Sequence, residues 1–281
     1  MLKWCNRLYL LFRYNQWNNI YCELERRKGD HKEMIKVNHL KQSVYDEHTQ
    51  NKKMILNDIT IRFEHGELVG LVGASGSGKS IFLRSIALQL KWDDGDLLWD
   101  DKKVISGGGK APQKYRSQAA YLEQNPSLNK DKTALKNVLI GQAGQTSWLR
   151  RLTGMIRSDD YMGAMDELEK FGLLDKAHLK AGVLSGGELQ RVAICRALVH
   201  GATFMAADEP VLGLDPKTAE KVILTLKNLC EEQNKIIVTA LPLDLAQRYC
   251  HRVIGISEGT ITLDVAGRRL TAEEKRSVHL L

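Results

Sequence analysis

A glycine-rich stretch in the first third of the chain carries the strongest chemical signal. GASGSGKS, residues 73–80, has the spacing G-x-x-x-x-G-K-[ST] and stands between a predicted buried strand and a predicted helix. Such glycines let the backbone curl until successive N–H groups point at phosphate oxygens, and the helix adds the positive end of its dipole. Lys79 is expected to reach the β- and γ-phosphates of a nucleotide, and Ser80 to place its hydroxyl on Mg²⁺. The predicted nucleotide-binding residues are Gly73, Ala74, Ser75, Gly76, Ser77, Gly78, Lys79, Ser80 and Ile81.

A pair of acids forms the second candidate group. FMAADEP, residues 204–210, predicts an apolar strand that ends at Asp208, with Glu209 directly after it. Asp208 is expected to hold Mg²⁺ through water, and the next acid suits a general base that polarises an attacking water. Alone, DEP would be a common surface turn. Together with the phosphate loop it predicts a site of nucleotide hydrolysis.

A third motif, LSGGELQRVAICRAL, spans residues 184–198. A serine and two glycines at a predicted helix N-terminus make a second anion-binding cradle, distant in sequence from the first. One ATP does not need two such cradles in one chain, whereas two facing chains do, each offering its second cradle to the other's γ-phosphate. The residues predicted for this role are Leu184, Ser185, Gly186, Gly187 and Glu188.

The three motifs together resemble those of the ATP-binding cassette (ABC) ATPases, and the resemblance covers roughly residues 35–265. It implies ATP and Mg²⁺ as ligands. Gln124 in AYLEQNP corresponds to the Q-loop, which contacts Mg²⁺ and signals to the membrane partner. Asp215 in GLDP corresponds to the D-loop across a dimer interface, and Tyr45 to the aromatic residue that stacks on adenine. The alternative for Tyr45 is a plain strand residue.

Within the family, LKNVLIG, SWLRRLTGM and LDLAQRYCHRVIGISEGTI are most similar to the ATPase subunits of phosphonate importers. The resemblance implies a subunit that powers import of phosphonate or a related small anion. Implied partners are a second ABC ATPase chain, a membrane permease and, indirectly, an extracytoplasmic solute-binding protein, with no nucleic acid. The implied location is peripheral, at the cytoplasmic side of the plasma (inner) membrane. Substrate choice rests with the permease and the binding protein, so these residues do not reveal it.

The stretch IIVTALPLDLAQ, residues 236–247, lacks a histidine that the family carries after the corresponding strand. The resemblance aligns Leu241 with that histidine, and a looser alignment gives Ala240. Neither side chain donates a hydrogen bond to a γ-phosphate, and losing one such donor costs about 100- to 1000-fold in rate. His251 is not expected to substitute. One alternative is therefore a hydrolysis-impaired regulatory subunit or asymmetric partner; others are a misread strand register or a transporter that tolerates slow turnover.

The elements that position these motifs alternate between strand and helix. The sequence predicts helices over 187–200, 217–233 and 243–251, separated by strands over 203–207, 236–239 and 253–257. This alternation indicates an α/β fold with a mainly parallel sheet core. Shorter strands in the first half predict an antiparallel β region, and a helical subdomain is inserted in the middle. The resemblance identifies this arrangement as the P-loop ABC ATPase fold.

We predict three segments along the chain: an N-terminal extension over 1–33, an ATPase domain over 34–265 and a C-terminal tail over 266–281. The helical subdomain is expected at about 126–183. Within it one helix is predicted to place Met162, Met165, Leu168 and Phe171 on one face, with Gly172 as its cap. In the tail, Thr271 with Glu274 resembles a capping box that opens a short helix. The extension mixes aromatic and basic residues. It could be a membrane-surface arm, a poorly ordered segment or a stretch before a true start at Met34.

Composition excludes several classes. With 43% hydrophobic and 27% charged residues the chain resembles an ordinary globular protein. The longest apolar run near the N-terminus, LYLLF, is far below the ~20 residues that a membrane helix needs, and too short for a signal-peptide core, so residence in the cytosol is expected. Five scattered cysteines argue against a disulfide framework or zinc site. The net charge of +7 has two equally good interpretations: affinity for an acidic ligand or surface, or a solvated exterior that happens to be basic.

Overall fold

The computed structural model describes residues 34–46, 51–142 and 158–279, so the extension over residues 1–33 lies outside the described residues. The strands are β1 (Met34–Asp46), β2 (Asn51–Glu64), β3 (Leu68–Val72), β4 (Asp94–Trp99), β5 (Lys102–Ser106), β6 (Ala119–Leu122), β7 (Phe204–Ala207), β8 (Ile236–Ala240), β9 (Arg252–Ser257) and β10 (Thr260–Ala266). The helices are α1 (Lys79–Ile86), α2 (Gln113–Arg116), α3 (Ala134–Gln142), α4 (Ser158–Lys170), α5 (Gly186–Val199), α6 (Pro216–Gln233), α7 (Leu243–Tyr249) and α8 (Ala272–His279).

A six-stranded sheet forms the centre, in the order β10-β9-β3-β8-β7-β6. All of its neighbouring pairs are parallel except β9 with β10. Every residue of β3, β7 and β8 is buried, which explains their continuous apolar sequences: helices cover both faces of a parallel sheet. The predicted parallel core is confirmed.

A four-stranded antiparallel sheet, in the order β2-β1-β4-β5, packs beside it. The alternating sequence of β2 follows its burial, with Ile59, Ile61 and Phe63 inside and their neighbours outside. Phe63 contacts Phe82 of α1, with ring centroids 6.4 Å apart. This contact seats the helix that follows the phosphate loop in the same core as the antiparallel sheet.

The helical subdomain buries an apolar cluster between α3, α4 and one face of α5. Leu168 of α4 and Cys195 of α5 are fully buried there, and burial raises the pKa of the Cys195 thiol. Gly172 ends the α4 segment in the left-handed region at φ +64°, as the sequence predicts. Met162 was predicted to share the buried face of α4 but is 57% exposed. The buried face of the helix is instead formed by Ala164 and Leu168.

The C-terminal segment closes with a hairpin of β9 and β10 and then α8. Thr271 and Glu274 form the predicted capping box: Glu274 Oε2 accepts from the Thr271 N–H at 2.8 Å, and Thr271 Oγ1 from the Glu274 N–H at 3.2 Å. Across the described residues, no helix has both the length and the apolar character to cross a bilayer.

Candidate nucleotide-binding site

The sequence motifs meet at one edge of the parallel sheet. Leu71 of β3 pairs with Ala240 of β8, and Ala207 of β7 pairs with both Thr239 of β8 and Leu122 of β6. The carboxyl ends of these four strands therefore lie side by side. The residues that follow them are the phosphate loop, Leu241, the acid pair and the loop of Gln124, and this edge is where open α/β sheets bind ligands.

The phosphate loop is a tight cradle, and close packing against its neighbours explains why two of its positions are glycine. A Cβ on Gly73 would lie 2.2 Å from the carbonyl oxygen of Ile256 in β9. Gly78 has φ +105° and immediately precedes α1, and a Cβ there would meet Leu56 of β2 at 2.9 Å. Ser75, Gly76 and Ser80 are exposed along the loop. The backbone of the loop is thus fixed from behind and open on its outer side.

Lys79 curls across this cradle. Its Nζ donates to the carbonyl oxygens of Gly73 at 2.8 Å and Ala74 at 2.7 Å. Burial lowers the pKa of Lys79, and the carboxylates of Glu209 and Asp208 oppose that shift. The buried Ser77 hydroxyl has no hydrogen-bond partner among the described residues. A half-buried cation bonded only to backbone carbonyls, beside an unpartnered hydroxyl, fits an anionic ligand.

The acid pair follows β7 as the sequence predicts. Asp208 Oδ2 accepts a hydrogen bond from the Tyr121 hydroxyl at 2.8 Å. Burial raises the pKa of Tyr121 to about 12, so the phenol stays protonated and donates. Glu209 has φ +46°, a left-handed conformation that costs a non-glycine residue of order 1 kcal/mol. Such strain at a carboxylate beside a cradle is typical of functional positions.

The oxygen donors around the cradle bear on whether Mg²⁺ fits the site. Among the described residues no group of three or more His, Cys, Asp and Glu side chains could hold a metal ion. Mg²⁺, however, keeps several waters and binds through one or two carboxylates together with substrate phosphates. Ser80, Asp208 and Gln124 offer a hydroxyl, a carboxylate and an amide oxygen near the same edge, so their chemistry fits that ion.

The predicted second cradle lies at the start of α5. Ser185 is the N-cap, accepting from the Glu188 N–H at 3.4 Å, and Glu188 Oε2 accepts from the Ser185 N–H at 2.8 Å. Lys176 pairs with the Glu188 carboxylate. A Cβ on Gly187 would lie 2.2 Å from Thr218 Cγ2, so this glycine allows α5 to approach α6. Leu184 is buried in the helical subdomain.

Comparison with known proteins decides the family. A family model described as "ABC transporter" matches residues 56–212. Two relatives are the "Phosphonates import ATP-binding protein PhnC 1" of Halalkalibacterium halodurans and PhnC of Bacillus anthracis, 35% and 36% identical over 225 residues, or 80% of this chain and 88% of each relative. This chain belongs to the ABC transporter family.

Solved structures of ABC cassettes agree with the fold. The chain is 27% identical to the dimeric ATP-binding cassette MJ0796 in a post-hydrolysis state bound to ADP and Pi, with a TM-score of 0.70 over 84% of this chain and all of that one. The ADP conformation of MJ1267 gives 25% identity and a TM-score of 0.72 over 88% of this chain and 95% of that one. The P-loop ABC ATPase fold is confirmed.

Sequence reasoning missed the residue that holds the loop of Gln124. Gln190 of α5 donates through Nε2 to the carbonyl oxygens of Gln124 at 2.6 Å and Glu123 at 3.3 Å. Its side chain is 3% exposed. The available signal was a polar residue on the buried face of α5. Gln124 itself is exposed, and its loop is tied to the helix that carries the second cradle.

Two other residues assigned by family resemblance have plain structural roles. Asp215 caps α6, accepting from the N–H groups of Lys217 and Thr218, each at 3.1 Å, and the Thr218 hydrogen bonds lower the pKa of Asp215. Tyr45 lies on β1 opposite Lys52 of β2 and is 58% exposed. A D-loop role for Asp215 and adenine stacking by Tyr45 stay predictions.

Leu241, which the resemblance aligns with the family's histidine, directly follows β8. It is 5% exposed, its N–H donates to the Leu71 carbonyl at 3.2 Å, and it lines a cavity of about 580 Å³ together with Gly73, Lys79 and Glu209. His251 is engaged elsewhere: its Nδ1 accepts from the Leu68 N–H at 2.9 Å, at the opposite end of β3. The prediction that His251 does not substitute agrees with this position.

Proposed function

We propose that this chain is the ATP-binding and ATP-hydrolysing subunit of an ABC importer for phosphonate or a related small anion. The single observation that carries the proposal is the cavity in which Gly73, Lys79 and Glu209 meet. Membership of the ABC transporter family and relatives named as phosphonate-import subunits support the same activity and substrate class. We also propose the domain limits given above, with ATPase domain 34–265 and tail 266–281.

In the proposed mechanism the loop N–H groups of Gly73–Ser80 bind the β- and γ-phosphates of ATP. Lys79 exchanges its two carbonyl partners for phosphate oxygens, a stronger charge-assisted interaction. Ser80, Asp208 and Gln124 would hold Mg²⁺, which would supply positive charge that neutralises the phosphates. Glu209 accepts a hydrogen bond from the attacking water and orients it. Tyr45 stacks on the adenine.

The site is completed by a second ABC ATPase chain. Its Ser185–Glu188 segment covers the γ-phosphate bound at this chain's loop, and its Asp215 contributes at the same interface. MJ0796, a dimer with ADP and Pi, provides the precedent. ATP binding then closes the dimer, and hydrolysis opens it.

The membrane permease is proposed to dock beside the Q-loop. A groove of about 750 Å³ runs between the end of α1, β6 and α5, and Lys91, Lys110 and Arg116 line it with positive charge. That charge favours an acidic permease segment. The groove also contains Tyr121 and Leu122, directly before the Q-loop. Docking of the permease in the groove would therefore be transmitted to Gln124. The subunit would lie at the cytoplasmic side of the plasma membrane, with an extracytoplasmic solute-binding protein delivering the anion.

Mg-ATP hydrolysis and fluorescent-ATP binding by the purified chain test the proposal. Glu209→Gln should keep ATP binding and lower hydrolysis about 100- to 1000-fold, because the amide cannot act as a base. Glu258→Gln is the matched control, since Glu258 has the same φ of +46° in an exposed turn. A chain that binds no ATP refutes the proposal.

Leu241 favours a second candidate function: a nucleotide-binding regulatory subunit or asymmetric partner that hydrolyses little. The observation is that a buried aliphatic side chain lines the cavity beside Glu209, where a donor would serve the γ-phosphate. Leu241→His should then raise the rate about 100-fold, whereas Leu245→His, in the same cavity, should not. A parent already well above Glu209→Gln and unchanged by Leu241→His would exclude this candidate.

A further inference from the structure

A short chain of polar contacts joins three separate elements behind the acid pair. The Tyr121 hydroxyl, on β6, donates to Asp208 Oδ2 at 2.8 Å. Arg84 of α1 donates through Nε to the same hydroxyl oxygen at 3.2 Å. The Arg84 guanidinium also lies over the Tyr121 ring, 5.4 Å from its centroid. The order of donation is therefore Arg84 to Tyr121 to Asp208.

This order fixes the direction of the hydroxyl hydrogen. Arg84 has donors but no acceptor, so the phenol oxygen must accept from it and is left to donate its own hydrogen to Asp208. Asp208 accepts on Oδ2, which restricts rotation of the carboxylate and leaves Oδ1 for another partner. The backbone beneath is also fixed, because the Asp208 N–H donates to the Leu122 carbonyl at 2.9 Å.

The three elements involved all lead to the nucleotide site. Helix α1 begins at Lys79, β6 ends two residues before Gln124, and β7 ends at the residue before Asp208. The Tyr121 hydroxyl can reach Asp208 because Tyr121 pairs in register with Ala206, two residues before Asp208. The contact chain thus links the phosphate-loop helix to the carboxylate through the strand that carries the Q-loop.

We propose that Tyr121, oriented by Arg84, is a positioning residue that holds the Asp208 carboxylate in the orientation required for Mg²⁺ and so sets the metal dependence of ATP binding. The proposal rests on the proposed function for the role of Asp208. Partners of this kind, one step removed from the metal, typically change metal affinity about 10- to 100-fold when lost.

Tyr121→Phe removes one oxygen atom and keeps the ring, which makes it the sharpest test. Fluorescent-ATP affinity is measured with Mg²⁺ and with EDTA, and the ratio of the two affinities is the readout. Tyr121→Phe should lower that ratio about 10-fold while leaving the affinity in EDTA unchanged. Tyr115→Phe is the matched control, because Tyr115 is a half-buried tyrosine whose ring packs on Trp99.

A second variant and a double-mutant cycle keep the test independent of any effect on folding. Arg84→Gln, at an exposed position, should lower the Mg²⁺-dependent ratio in the same direction and by less. In an Asp208→Asn background Tyr121→Phe should have no further effect, because the positioned group is gone. An unchanged affinity ratio in Tyr121→Phe, or an equal loss of ATP affinity with and without Mg²⁺, overturns this inference but leaves the proposed function standing. A wild-type chain with no Mg²⁺ dependence overturns the assigned role of Asp208 as well.

Discussion

The phosphate loop and the start of α5 are both helix N-termini suited to anions, yet their polar groups are satisfied differently. At the loop, Lys79 bonds only to backbone carbonyls and Ser77 has no partner among the described residues. At α5, Ser185 and Glu188 bond to each other's backbone and Lys176 pairs with Glu188. The first is held ready for a ligand, whereas the second is complete as a fold element.

This difference teaches which half of the site can act alone. A cradle with a half-buried cation needs an anion to compensate it, so it should bind nucleotide in the single chain. A capped helix start has no such need, and only its remaining N–H groups and the Ser185 hydroxyl can serve a ligand. We therefore expect the loop to govern affinity and the α5 cradle to govern turnover.

Lys79→Met should give the largest effect on binding. It removes two charge-assisted hydrogen bonds to phosphate, and ATP affinity should fall about 100-fold. Lys221→Met, on the exposed side of α6, is the control and should bind as the parent does. Fluorescent-ATP titration measures both, and near-normal affinity in Lys79→Met would break the comparison.

Ser185→Arg should separate the two halves. The bulky cation blocks the α5 cradle, so hydrolysis should fall about 100-fold, the scale of losing a preorganised group at the γ-phosphate. ATP affinity of the single chain should stay within about two-fold, because the loop is untouched. Equal losses in affinity and rate would show that the two cradles are not independent.

Glu188→Ala should have the smallest effect, and that effect should be on the stability of the fold. It breaks the capping box of α5 and the Lys176 pair, which costs about 1 kcal/mol of unfolding free energy. Urea denaturation measures the change, with Glu232→Ala at the end of α6 as an exposed control. A loss of ATP affinity without loss of stability would assign Glu188 to the ligand instead of to the fold.

The phosphate loop, the acid pair and the alternation of strands and helices could be predicted because each depends on spacing within a few residues. Tyr121 and Gln190 could not. Tyr121 reaches Asp208 across 87 residues and Gln190 reaches Gln124 across 66, and both contacts exist only because of strand order and helix packing. Met162 was misplaced for a related reason: the rotation of α4 is set by α3 and α5, which its own periodicity does not encode.

Mixing Ser185→Arg chains with Lys79→Met chains tests the central claim most directly, since neither variant alone retains a complete composite site. In a mixed dimer the loop of the first variant faces the intact cradle of the second. With random pairing half of the dimers are mixed and each has one of two sites intact, so about a quarter of wild-type hydrolysis should return. The account predicts that return; a mixture no more active than its separate components, in a chain whose parent hydrolyses ATP, would contradict it.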